Sequence, residues 1–221
     1  MKLDRRLNEI LSHITGQSFA DVGCDHGKLA VKAIECGYVN KVIATDISVP
    51  SLDKTIRLAD SLDLSQNIIC RVGDGLSVMK NGEVDTVVIA GLGGDEIAKI
   101  LQNAKAEGKE FHRFVLSPNT HAERVRAEAI VQGLGFVRDY LILSDRKFYS
   151  IIVLEKEAKK KIPNQKQFEF GMEYAECEDF RVWANNELSR LATLIKNTKN
   201  NEQLKIRLQQ IKDAYEDNKC E

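Results

Sequence analysis

The chain is 221 residues long, 43% hydrophobic and 29% charged, with a formal net charge of −1. That allows one α/β domain plus an appendage and excludes a global basic field. No run reaches membrane-helix length, the start MKLDRRLNEI lacks a signal peptide's apolar core, and the cysteines (Cys24, Cys36, Cys70, Cys177, Cys220) form no C-x-x-C pair. The expectation is a cytoplasmic protein with reduced thiols, no metal and no membrane anchor, which would meet any nucleic acid through a local patch.

Residues 3–15 place Leu3, Leu7, Ile10, Leu11 and Ile14 on one helical face, with Arg5, Arg6 and Glu9 read as off it and Gly16 as the stop. Such a helix packs on a sheet, or else turns Arg5 and Arg6 toward a polyanion. The stretch 18–27, SFADVGCDHG, is strand, tight turn and helix start, and the chain is organised around it. In an open parallel sheet, ligands bind beyond the carboxyl ends of the strands. Gly23 and Gly27 permit a sharp bend and a close backbone approach. Asp21 and Asp25 in the same turn argue against a phosphate and suit a ligand with cationic groups or donor hydroxyls.

A helix to about Cys36, ended by Gly37, leads to the strand KVIATD, which stops at Asp46. An acid there is placed to accept from both ribose hydroxyls of an adenosine ligand, or else caps a helix or closes a turn. Ser48 to Pro50 start the next helix, with Pro50 acceptable in its first turn. The third strand, 67–73, ends in Gly73-Asp74-Gly75, a ligand loop or an ordinary turn. The fourth, 84–91, is nearly all apolar, as a strand covered on both faces should be, and ends at Gly91, Gly93 and Gly94. Asp95 is the expected cap of the helix that follows. The fifth strand, RFVLSP, delivers Asn119 and Thr120 to the same crevice, and another helix follows.

The alternation then changes. Residues 136–143 and 147–157, joined by Ser144-Asp145-Arg146, read as an antiparallel hairpin. The polar, basic stretch 158–167 reads as a linker. Beyond it, Trp183, Leu188, Leu191, Ile195 and Thr198, then Leu204, Leu208, Ile211 and Tyr215, step mostly by three and four on either side of a break at 197–201. That predicts a helical coiled-coil hairpin with helices of about 15 residues, which must lean on the main domain or a partner. Lys196, Lys199, Lys205, Arg207 and Lys212 decorate it, as a solvated face or a basic arm.

Five βα units followed by an edge hairpin resemble the class I S-adenosylmethionine-dependent methyltransferases. The resemblance implies Asp21 and Gly23 beside the methionine part, Asp46 on the ribose and Asp74 near the adenine, with Cys24, Ile47, Gly75 and Ala90 completing the cofactor site. A more specific resemblance covers nearly the whole chain. ADVGCDHGKLA resembles ADIGSDHAYLP, VGDGLSV resembles R-x-GDGL, VDTVVIAGLGG resembles DTIVIAGMGG, LSPNTHAERVRAEA resembles LQPN with its following helix, and KFYSIIV resembles KIYEI. QFEFGMEY followed by W-x-x-x-EL-x-x-L resembles the C-terminal segment. These are motifs of the bacterial tRNA adenine-N1 methyltransferases that act on adenine 22 of the D-arm, the TrmK family. The fold implied is α/β: a Rossmann-like methyltransferase sheet, mostly parallel with an antiparallel C-terminal hairpin, over 1–157, then a linker and coiled coil over 158–221.

Adenine N1 carries an in-plane lone pair and needs no deprotonation, so the chemistry asks for positioning and for an acceptor to the N6 amine as the ring becomes cationic. Asp25 and Gly91 are the candidates for that catalytic role, although Asp25 also fits a helix cap. AGLGG in place of the NPPY-like motif of amine methyltransferases suits ring-nitrogen chemistry. The Watson–Crick edge must be unpaired or flipped out to react. Arg5, His26, Asn119, Lys147 and Tyr149 are the substrate-side candidates, Tyr149 as the aromatic nearest for stacking. The competing functions are a methyltransferase of another RNA or of a small molecule, and a cofactor-binding module without transfer. A monomer is favoured, and the oligomeric state stays open.

Overall fold

The computed structural model describes residues 2–198 and 201–218; Lys199 and Cys220 lie outside them. The apolar, β-branched runs form the strands: β1 (Ser18–Val22), β2 (Lys41–Asp46), β3 (Ile68–Val72), β4 (Thr86–Ala90), β5 (Arg113–Ser117), β6 (Gly135–Ser144) and β7 (Lys147–Glu155). They make one sheet in the order β3-β2-β1-β4-β5-β7-β6. β1 to β5 are mutually parallel, and β7 is antiparallel to both of its neighbours. The expected edge hairpin is present, with its second strand inserted against β5.

Side-chain alternation divides the core in two. Phe19, Val42, Ala44, Val88 and Val153 face α1 (Arg5–Ser12), α2 (Lys28–Glu35) and α3 (Val49–Asp60). Ala20, Ile43, Val87, Ile89 and Leu154 face α4 (Gly94–Ala106) and α5 (Ala122–Gln132). The chain leaves β1 toward β2 and returns on the other side to β4, so the order reverses between β1 and β4. That reversal opens the crevice in which such sheets bind ligands.

Among the helix caps, one differs from expectation. Asp4 caps α1, its carboxylate accepting from Leu7 N at 2.7 Å. Gly93, not Asp95, is the N-cap of α4; Asp95 lies in the first turn, where its charge still meets the positive helix end.

The expected linker is shorter than 158–167. Asn164 and Gln167 form a reciprocal capping box, Gln167 N donating to Asn164 Oδ1 at 2.9 Å and Asn164 N to Gln167 Oε1 at 3.2 Å. They start α6 (Gln165–Phe170), which a single 3₁₀ turn (Tyr174–Glu176) joins to α7 (Glu178–Asn197). α7 begins five residues before Trp183 and spans 20 residues, about 30 Å. It pairs with α8 (Glu202–Asp217). Phe170, Tyr174 and Phe180 form an aromatic cluster, with ring centroids 5.3–6.1 Å apart, that continues into Ala184, Leu191, Ile211 and Ala214. Of the basic residues expected on the hairpin surface, Arg207 is tied down: it bonds Glu169 at 2.6 Å and lies over the Phe170 ring.

A buried ion pair fastens this region to the sheet. Arg126 and Asp139 are 1% and 0% exposed and bond twice, at 2.8 and 3.0 Å. Arg126 also donates to the carbonyls of Phe168 and Glu169, and Asp139 Oδ2 accepts from Met172 N. Farther along β6, Asp179 accepts from Leu143 N at 3.0 Å and pairs with Arg5 at 2.8 Å.

Candidate active site

The turn after β1 is held from below. Gly27 has φ +66°, and a Cβ there would stand 2.5 Å from Thr55 Cγ2, so the contact of α2 with α3 requires glycine. Thr55 Oγ1 also lies 3.4 Å from the Asp25 carbonyl and 3.5 Å from Cys24 Sγ. Burial pushes the Cys24 thiol up to about 12. Cys24 is therefore a packing group at the cavity floor and not a nucleophile.

A cavity of about 380 Å³ opens between the ends of β1 and β4. Asp21, Cys24, Asp25, His26, Ala90 and Gly91, all singled out from the sequence, line it. Asp21 is 5% exposed, and its Oδ2 has no hydrogen-bond partner among the described residues. Desolvation first, then the nearby Asp46 charge, push its carboxyl up to about 7, against a hydrogen bond from the Ala30 backbone. An orphaned, buried acid facing a cavity is incomplete without a cationic or donor group.

Asp46 does not cap α3; Ser48 does, accepting from Ser51 N. Asp46 instead orders its own turn, Oδ1 accepting from Ser48 N at 2.8 Å and Oδ2 from Asp25 N at 3.3 Å. Those bonds aim a half-exposed carboxylate along the strand ends. Next to it, the apolar Ile47 is 70% exposed. One strand farther on, Asp74 is exposed, while Gly75 is buried with its carbonyl 3.4 Å from Thr45 Oγ1. Asp46, Ile47, Asp74 and Gly75 thus share the carboxyl edge with Asp21 and Gly23.

Asp25 does not cap α2 either, because the N-cap is Gly27 with no side-chain bond. Asp25 stands at φ +48°, exposed, 3.6 Å from His26. Its carboxylate is free to meet a ligand at the cavity mouth. Across the cavity, the Gly91 carbonyl accepts from Asn119 Nδ2 at 2.5 Å, and Asn119 N donates to Leu92 O at 2.8 Å. Asn119 therefore sets the β4 loop and is not among the residues that line the cavity.

Three substrate-side candidates are placed elsewhere. Arg5 bonds Asp179 and, at 3.0 Å, the Leu143 carbonyl, so it joins α1 to the C-terminal helices and does not line this cavity. Lys147 is exposed at the β6–β7 turn. Tyr149 stands behind Arg6, whose guanidinium carbon is 4.3 Å from its ring centroid. Arg6 itself lines the cavity, with Leu7, Lys28, Leu29 and Leu92. Its Nε donates to Ser117 Oγ and its Nη2 to Ser117 O, both at 2.9 Å. Reading Arg5 and Arg6 as one pair missed this. Arg6 lies three residues after Leu3 and four before Ile10, so helical spacing puts it on the inward face and Arg5 beside it. Among the described residues, no group of three or more His, Cys, Asp or Glu side chains is arranged to hold a metal ion.

Residues 3–152 match the family described as "Methyltransferase domain". The tRNA (adenine(22)-N(1))-methyltransferase of Bacillus subtilis (strain 168) is 34% identical over 156 residues, 70% of this chain and 66% of that protein. The crystal structure of the B. subtilis m1A22 tRNA methyltransferase TrmK superposes with a TM-score of 0.78 at 29% identity, covering 99% of this chain and 97% of the other. M. capricolum TrmK, solved with the cofactor product S-adenosyl-homocysteine, gives a TM-score of 0.86 at 24% identity and covers 98% and 99%.

Proposed function

Since the chain belongs to the methyltransferase-domain family, we propose that it transfers the methyl group of S-adenosylmethionine to N1 of adenine 22 in the tRNA D-arm. The observation that carries this reading is Asp21: a buried carboxylate with an unpartnered oxygen, in a cavity at the switch point of the sheet. The similarity to the B. subtilis tRNA (adenine(22)-N(1))-methyltransferase supplies the substrate.

The residues present fit the cofactor. Asp21 would meet the positive charge of its methionine part, and Asp46 would accept from the ribose hydroxyls. Ile47 would pack on the adenine, with Asp74 and Gly75 at its edge. Gly23, Cys24 and Ala90 would leave room for the chain between them. When bound, the cofactor supplies an electrophilic methyl group on a sulfonium.

The chain's own residues do the rest. The walls from α1, the β1 turn and the β4 loop hold the base so that its N1 lone pair points at the methyl carbon. No base is required, because N1 carries no proton at neutral pH. Asp25 accepts from the N6 amine and stabilises the positive charge that develops on the ring. The Gly91 carbonyl, already bonded to Asn119, offers its second lone pair to the same amine. His26 and Lys28 stand at the mouth, where a tRNA phosphate would pass, with Lys147 farther along the same rim. We place the protein in the cytoplasm.

The test is incubation with labelled S-adenosylmethionine and an unmodified tRNA transcript bearing adenine 22, followed by primer extension. A stop at position 22 is expected, absent when that base is changed. Label at another adenine would move the specificity. Cofactor binding without transfer to any tRNA would overturn the reading.

A further inference from the structure

We infer that Arg6 is the surface on which the target adenine is seated, with Tyr149 as its backing rather than as the stacking residue. The inference deepens the reading above and rests on it.

Arg6 reaches the cavity from α1 and is fixed on two sides. Ser117, at the end of β5, takes the Nε and Nη2 hydrogens at 2.9 Å. The Tyr149 ring of β7 lies against the guanidinium at 4.3 Å. A long flexible side chain is thereby held as a plane, and the entropy of ordering it is lost on folding rather than on binding. The plane ends beside the catalytic loop: Nη2 is 3.9 Å from where a Cβ on Gly91 would stand. Tyr149 is not among the lining residues, so a base entering the cavity meets Arg6 first.

Guanidinium planes are stacking partners for unpaired bases. Arg6 is partly buried, and desolvation pulls its pKa down; a delocalised guanidinium keeps its charge even so. That charge defines its role. The adenine becomes positive as N1 takes the methyl group, and a neighbouring cation does not assist that step. Arg6 therefore seats the neutral base and lets the charged product go. Its removal falls on KM for tRNA and spares kcat.

The experiment compares wild type with Arg6→Ala, Arg6→Lys and Tyr149→Leu. It measures KM and kcat on tRNA, S-adenosylmethionine affinity by calorimetry, and the emission of 2-aminopurine placed at position 22. Arg6→Ala is expected to raise KM for tRNA about tenfold and to lose the 2-aminopurine response, with kcat and cofactor affinity within about twofold. Arg6→Lys keeps the charge and loses the plane, so it should resemble Arg6→Ala. Tyr149→Leu removes only the backing and should raise KM about threefold. Wild-type KM in Arg6→Lys would mean that charge alone matters and would overturn the platform. Cofactor affinity falling with KM in Arg6→Ala would assign Arg6 to the cofactor instead. If Arg6→Ala does not fold, Arg6→Lys and Tyr149→Leu carry the test. A wild-type chain that methylates no tRNA overturns the parent reading and is seen before any variant is made.

Discussion

Two buried acids in this molecule are treated in opposite ways. Asp139, under α5, has both oxygens engaged by Arg126 and a further bond from Met172 N. Asp21, at the end of β1, has one oxygen without a partner. Both lie in strands and both are shielded from water. A buried charge is tolerated when it is paired and hydrogen-bonded, and otherwise it shifts its pKa and neutralises. The saturated acid joins two parts of the fold. The unsaturated one marks where something from outside completes the structure.

The contrast is sharpest under substitution. Arg126→Ala leaves the Asp139 charge buried without its counter-ion, and urea unfolding should show a loss of about 3–5 kcal/mol. A loss below about 1 kcal/mol would mean that water reaches the pair. Asp21→Asn should do the reverse. In the folded chain Asp21 titrates near 7, against 3.8 in the unfolded chain, so between these values the folded state holds an extra proton. Wild-type stability therefore declines as pH rises from about 4 to about 7, and the Asn variant escapes that decline, gaining about 2–4 kcal/mol on wild type at pH 8 without ligand.

Cofactor affinity should show the cost of that gain. Asp21→Asn is expected to weaken S-adenosylmethionine binding about 30-fold, the loss of one charge-assisted contact. Wild-type affinity should fall as pH drops below about 7, because the acid must lose its proton to meet a cation, and the Asn variant should be flat. A parallel pH slope in both, by calorimetry, would remove Asp21 from the site. Asp46→Ala should weaken the cofactor about tenfold through the lost ribose bonds and the loosened Asp25 turn. The smallest effect is expected at Arg5, whose pair with Asp179 is 57% exposed on the arginine side: Arg5→Ala should cost at most about 1 kcal/mol.

The strands were readable because burial on both faces demands continuous apolar runs, and their ends carry Gly and Asp. That placed Asp21, Asp46, Asp74 and Gly91 on one edge before any coordinates. The junction was not readable. Arg126 and Asp139 are ordinary charged residues of a helix and a strand, and only tertiary packing reveals that neither sees water. Phe170 and Tyr174 sit in short elements with no sustained period, and Phe180 lies ahead of the stripe that starts at Trp183, so the aromatic cluster escaped notice while the stripe did not. Arg6 escaped for a different reason. Its spacing was visible, but adjacency to Arg5 suggested a common role that a helix, turning 100° per residue, does not allow.

One consequence concerns how the chain is made. Among the described residues β7 follows every other strand in the chain, yet it lies between β5 and β6, and β6 pairs only with β7. A nascent chain that stops at residue 144 has an open edge on β5 and a ten-residue strand, β6, with nothing to join. At about 5–20 residues per second, the missing strand emerges within a second or two. Until then β5 is exposed to any other unpaired strand. A ribosome stalled between β6 and β7 would release an aggregation-prone fragment, whereas a stall after Glu155 would release a closed sheet.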